Sequence, residues 1–206
     1  MKIIIANSKH SIYAETICEN MAEAAKVRGT GIAQRQPSYI ISKMKKGNAV
    51  IALDGNQFAG FTYIEEWSHG KFVANSGLIV HPDYRDQGLA KLIKQKVFEQ
   101  SRKKFPDAKI FSITTGLAVM KMNSNLGYRP VTFSELTDDQ SFWDGCRSCK
   151  NYDVLQSKDQ KMCFCTGMLF DPNEKRKHTN NKKTFNLKIW KRLRNIKLSI
   201  LKKTKS

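Results

Sequence analysis

No run of 18 or more apolar residues occurs in the 206-residue chain, so the sequence predicts no transmembrane helix. A secretory signal is missing as well: the first residues, MKIIIANSKH, hold an apolar run of only four, Ile3 to Ala6. Cysteine is sparse and odd in number, five in all. Without an export signal, that count argues against a disulfide framework and for a reducing, cytoplasmic setting. Acidic residues are scarce, 18 against 36 Lys and Arg, for a net charge of +18. Thirteen of those basic residues but only two acidic ones fall after Phe170, so residues 171–206 carry +11 and the first 170 carry +7. The basic character is mostly that of a tail. No internal repeat is visible.

What is present is an ordered series of short patterns. MKIIIAN reads as a strand, and Ser8 or Ser11 can cap a helix running to about Lys26, with Ile17, Met21, Ala24 and Ala25 on one face. RGTG at 28–31 breaks it. Pro37 opens a second helix that Gly47 closes. AVIAL (49–53), FAGFTYIEEW (58–67) and FVANSGLIV (72–80) are strands separated by DGNQ and SHGK turns. A helix follows from about Gln87 to Lys104, striped by Leu89, Ile93 and Val97 with Leu92 flanking. AKIFSIT is a strand, LAVMKMNSNLG a short helix, YRPVTF an extended segment and KMCFCTGMLF (161–170) a last strand. The order β-α-α-β-β-β-α-β-α-β-β implies a mixed central sheet with helices on both faces, an α+β or α/β architecture, over residues 1–171. Residues 172–206 are a basic extension.

One junction carries chemistry. HPDYRDQGLAKLI (81–93) joins an apolar strand to a helix through Arg85-x-x-Gly88-x-Ala90. A helix N-terminus presents unpaired N–H groups and positive dipole, glycine lets the backbone approach an anion, and arginine adds a forked donor. An ordinary strand–helix turn would also use one glycine. The wider stretch GLIVHPDYRDQGLAKLIKQ, with NSNLGYRP at 123–130, resembles the GNAT superfamily of acyl-CoA-dependent N-acyltransferases. The resemblance implies the GNAT fold and an acyl-CoA co-substrate. Leu78, Ile79 and Val80 would bind the acyl carbonyl and pantetheine arm where two strands splay, with a backbone N–H near Val80 for the oxyanion. Arg85, Asp86, Gln87, Gly88, Leu89 and Ala90 would hold the pyrophosphate. The amine would attack the thioester directly.

The tyrosine acid expected from that resemblance is replaced by Asn123, which can hydrogen-bond but not supply a proton. Base candidates are Glu65, Glu66 and His69. Strand alternation allows at most one of the two glutamates to face the cleft, and a solvated strand end is an equal reading. Segments AAKVRGTGIAQR, GKFVANSGLIVHPDYR and AVMKMNSNLGY are similar to the GNAT-type glutamate N-acyltransferases found with arginine-biosynthesis enzymes in Bacteroidota. That similarity implies an N-acylglutamate product, acetyl or succinyl, with Arg28, Arg35 and Lys121 holding substrate carboxylates. A succinyl donor would need a further cation that the sequence does not identify. Other amines (a polyamine, a drug, a protein N-terminus) remain alternative acceptors, and a non-catalytic acyl-CoA sensor is the alternative of a different class.

Cys146-x-x-Cys149 and Cys163-x-Cys165 have spacings that suit a structural zinc site, with Cys163 and Cys165 on one strand face; buried thiols are the other reading. In the tail, Phe185, Ile189, Leu193, Ile196 and Ile200 recur at helical spacing among basic residues. A basic amphipathic helix of this kind suits a membrane surface or a partner subunit, homodimer included. No specific nucleic-acid contact is expected.

Overall fold

The computed structural model of the chain describes residues 1–28, with only the backbone of Arg28, and residues 34–174. The strands are β1 (Lys2–Ile5), β2 (Ala49–Asp54), β3 (Gln57–Trp67), β4 (Phe72–Val80), β5 (Lys109–Thr114), β6 (Arg129–Val131) and β7 (Thr166–Phe170). The helices are α1 (Ala14–Arg28), α2 (Pro37–Lys45), α3 (Leu89–Lys104), α4 (Leu117–Asn125), α5 (Gln140–Asp144) and α6 (Tyr152–Ser157). Residues 1–173 form one compact unit. The amphipathic pattern expected in the tail lies outside the described residues. Among those described, no helix is long and apolar enough to cross a membrane.

One seven-stranded sheet runs β1-β2-β3-β4-β5-β7-β6. Every neighbouring pair is antiparallel except β4 with β5. Parallel strands need a crossover, and α3 supplies it. On one sheet face, Ile17 and Met21 of α1 and Ile40 and Met44 of α2 pack on Ile51, Phe61, Tyr63 and Ile79. On the other face, Leu89, Ile93 and Val97 of α3 pack on Val50, Ala59, Ile64 and Val73. A third cluster, around Phe111, Phe133, Trp143 and Leu155, seats the short helices α5 and α6.

Several local expectations change. Asn7, not Ser8 or Ser11, caps the first turn, its side chain accepting from the Lys9 N–H at 3.0 Å, and a 3-10 turn over Ser8–Tyr13 precedes α1. The α3 stripe is completed by Lys94 and Ser101, both buried, while Leu92 is 52% exposed. The segment between β6 and β7 holds two short helices, α5 and α6, that the sequence order did not include. Strand β7 begins at Thr166, so Cys163 and Cys165 precede it instead of sharing a strand face.

The feature that positions the site is the brevity of the parallel pairing. β4 and β5 pair only at Phe72–Lys109, Val73–Ile110 and Ala74–Phe111. Beyond Ala74 the strands part. On its other edge β4 stays paired with β3, through a register shift opposite Thr62. Gly77 sits in that irregularity at φ +64, and a Cβ there would lie 2.3 Å from Cε1 of Tyr63. Glycine meets both the backbone and the space requirement. Gly77→Ala should therefore destabilise the protein by about 1–3 kcal/mol through strain and overpacking; equilibrium urea unfolding unchanged from the parent would refute this role.

Candidate active site

A cavity of about 540 Å³ opens where β4 and β5 part. Asn75, Ser76, Gly77 and Leu78 of β4 form one wall, and Ser112 to Gly116, with Ala118 and Val119 of α4, form the opposite one. The β4 backbone beyond Ala74 has no partner strand on this edge, so its N–H and C=O groups face an opening able to hydrogen-bond an extended amide-bearing chain. The parting point is braced from behind. Tyr128 donates to Asn75 Oδ1 at 3.1 Å, and Asn75 Nδ2 donates to Ser101 Oγ on α3 at 2.8 Å.

The loop between β4 and α3 has the form an anion site needs. Its residues Arg85, Asp86, Gln87 and Gly88 are exposed, and Gly88 caps α3 in the left-handed region at φ 78. No heavy atom approaches a Cβ position at Gly88 within 4 Å, so the α-carbon faces open space. The first N–H groups of α3, at Leu89 and Ala90, have no earlier turn to bond to. Arg85 is steadied by Nε donating to the Val80 carbonyl at 3.2 Å, and Gln87 Nε2 donates to the Asp83 carbonyl at 3.1 Å. The loop thus offers a guanidinium and a helix N-terminus at the mouth of α3, fitted to phosphate oxygens.

From the α1–α2 face of the sheet, Arg35, Tyr63, Glu65 and Trp67 reach the same cavity. Arg35 Nη2 lies 3.4 Å from Glu65 Oε1 and Arg35 Nε donates to the Tyr63 hydroxyl at 3.0 Å. The Tyr39 hydroxyl also donates to Glu65 Oε1. Burial opposes the Arg35 charge, but Tyr63, Glu65 and Tyr39 outweigh it and hold the guanidinium above its ordinary pKa. Burial, with Glu65 adding to it, raises the Tyr39 and Tyr63 hydroxyls, so both stay protonated donors. Glu65 is 4% exposed, and both contacts use Oε1, leaving Oε2 for the cleft.

A family model described as Acetyltransferase (GNAT) family matches residues 15–120, just over half of the chain. The chain belongs to the GNAT acetyltransferase family. GNAT proteins are acyl-CoA-dependent N-acyltransferases, and the parted strands and glycine-capped helix are placed as such a co-substrate requires. No curated protein sequence matches this one. Solved structures share the fold at low identity. The N-acetylglutamate synthase of Neisseria gonorrhoeae, complexed with coenzyme A and N-acetyl-glutamate, is 12% identical with a TM-score of 0.59. That match covers 82% of this chain but 34% of the synthase, so this GNAT chain spans about a third of the synthase's length. Rv2747 of Mycobacterium tuberculosis, in complex with CoA, is 11% identical with a TM-score of 0.58, over 83% of this chain and 99% of that one. YncA of Salmonella typhimurium, with acetyl-CoA, is 12% identical with a TM-score of 0.58, over 85% and 95%.

Within this GNAT frame the sequence candidates separate. Of the two glutamates, Glu65 faces the cavity and Glu66 is exposed on the other side, as alternation requires. His69 sits in an exposed turn at φ 54. Asn123 is fully buried behind the wall, its Nδ2 donating to Ser112 Oγ at 2.8 Å, and it is not among the lining residues. Its contact fixes α4 to β5; any influence on the reacting sulfur passes through Ser112. Lys121 is exposed on α4 and does not line the cavity, because Ala118 and Val119 take the inward face. The Arg28 side chain lies outside the described residues. Leu78 lines the cavity, whereas Ile79 is buried in the α1–α2 core. Asn75, Ser76, Gly77, Ser112 and Lys94 were not legible as lining residues.

The four cysteines do converge on the cavity wall, through the turn after α5 and the segment before β7. Cys163 Sγ also approaches the Asn151 carbonyl at 3.8 Å. Among the described residues, no group of three or more His, Cys, Asp or Glu side chains is placed to hold a metal ion. All four are free thiols. Burial first, then the neighbouring thiols, push Cys146 up to about 11 and Cys165 up to about 12. Both stay protonated at neutral pH, which suits wall-lining thiols and not nucleophiles. Iodoacetamide at pH 8 should label these two on the order of 10² times more slowly than a cysteine in an unstructured peptide, with rates still rising above pH 10. Peptide-like labelling rates in mass spectrometry would contradict the burial.

Proposed function

We propose that the protein transfers an acyl group from acyl-CoA to the amino group of a small amino acid, L-glutamate being the favoured acceptor. The observation that carries this reading is the Arg35–Glu65 pair on the cavity wall. An amino acid presents an amine beside a carboxylate, and a wall holding a carboxylate beside a guanidinium complements both. Arg35 offers a fork matched to carboxylate geometry. Glu65 Oε2 is available to accept a proton from the attacking amine, directly or through water. The fold shared with a synthase complexed with N-acetyl-glutamate adds support.

In this reaction the neutral amine attacks the thioester carbon, and the carbonyl oxygen takes up negative charge. Unpaired β4 N–H groups beyond Ala74, near Leu78, are the donors positioned to stabilise it. Collapse of the intermediate forms the amide and expels the CoA thiolate. Asn123 stands where the resemblance expects a tyrosine acid and is buried, and a thiol of ordinary pKa near 8.5 leaves as a thiolate without an acid at that position.

The test is release of CoA thiol from acyl-CoA with and without L-glutamate, alongside other amino acids and spermidine. Glutamate-dependent release is expected. Glu65→Gln should lower kcat by about 10²–10⁴, while Arg35→Met should raise the KM for glutamate far more than that for acyl-CoA. Release with spermidine but no amino acid would refute the acceptor assignment, and parent-like kcat in Glu65→Gln would remove the base.

A further inference from the structure

Lys94 is an anomaly on the helix it occupies. It stands in the buried stripe of α3, 2% exposed, where Leu89, Ile93 and Val97 are apolar. Its ammonium lies 5.3 Å from the centroid of the Tyr128 ring, and among the described residues it forms no ion pair. Burial alone lowers its pKa to about 7, with no neighbouring charge acting on it. A buried lysine without an anion is costly, and an apolar side chain of similar length would fill the same place at less cost. Yet Lys94 lines the cavity beside Asn75, Ser76 and Leu78.

Its place in the fold says which substrate it serves. The Arg35–Glu65 pair enters the cavity from the α1–α2 face, while Lys94 enters from the α3 face. Helix α3 also carries the phosphate loop at its N-terminus, so Lys94 is on the donor's side. It lies six residues past Gly88, about 9 Å along the helix axis, and is buried, so it is removed from the exposed loop that takes the phosphates. We propose that Lys94 is the counter-ion for a carboxylate at the far end of the donor's acyl group, so that the cavity selects short dicarboxylic half-thioesters such as succinyl-CoA over neutral acyl-CoAs. This rests on the acyltransferase reading but not on the identity of the acceptor. A bound carboxylate restores the charge on Lys94 and satisfies it in a low-dielectric site, where a neutral acyl chain would leave the amine unpartnered.

The experiment compares succinyl-CoA with butyryl-CoA, of similar length but uncharged, and with acetyl-CoA. Binding is measured by calorimetry without acceptor, and turnover by thiol release with the acceptor panel. Succinyl-CoA should bind best, and Lys94→Met should lower the succinyl-to-butyryl binding ratio on the order of 30-fold. Lys94→Arg, which keeps a cation, should retain part of the preference. Circular dichroism and thermal melting establish that both variants fold. Equal weakening of all three donors in Lys94→Met would reduce the lysine to a general contact and overturn the proposal, as would a parent protein that prefers butyryl- or acetyl-CoA. Succinyl-CoA binding that depends on Lys94, without turnover of glutamate, would uphold the donor assignment and refute only the acceptor. Failure to bind any of the three would overturn both.

Discussion

Three paired residues on each of two parallel strands set the terms for everything else in this protein. β4 and β5 hold together from Phe72 to Ala74 and then part, while each keeps its antiparallel partner on the opposite edge. A sheet can afford such a gap only if the exposed backbone groups find other partners and the parting point is braced. Asn75 supplies the brace, tied to Ser101 of α3 and to Tyr128 at the start of β6. The gap itself is the cleft proposed for acyl-CoA. At the parting itself Gly77 leaves free the space that Tyr63 occupies, which a Cβ there would enter.

The same gap lets the two sheet faces communicate with one cavity while keeping their charges apart. On the α1–α2 side, Arg35, Glu65, Tyr39 and Tyr63 form a mutually satisfied cluster in which cation, anion and hydroxyl donors balance. On the α3 side, Lys94 lies over the Tyr128 ring and, among the described residues, has no ion-pair partner. A pre-balanced cluster tolerates burial without ligand, whereas an unbalanced cation calls for one. That asymmetry underlies the proposed division between an acceptor site for a zwitterion and a donor site for an anionic acyl group.

Much of this was legible in the residues. The strand and helix order as far as β6, the glycine-capped opening of α3 and the restriction of the cleft to one of Glu65 and Glu66 all follow from local patterns: apolar periodicity, a positive-φ glycine and strand alternation. Arg35 was legible as a candidate binding cation, though not its pairing with Glu65, which lies 30 positions further on. The surroundings of the cysteines were not legible: α5 ahead of Cys146 and α6 between Cys149 and Cys163 are seated by Trp143 and Leu155 in a core that local spacing does not reveal. Asn123 was placed at the reaction centre by its distance from a motif, but helix α4 turns it inward onto Ser112.

By itself, the sequence determined the family, the element order as far as β6 and the glycine-bearing form of the loop before α3, because each depends on contacts within one or two neighbouring elements. Tertiary structure alone decided which side chains share the cavity. Where two strands part is a matter of long-range pairing, and whether a lysine in an apolar stripe meets solvent, an anion or a cleft depends on what lies across from it. Lys94 is the clearest case: a polar interruption of a helical pattern in the sequence, a buried lysine lining the cavity in the fold.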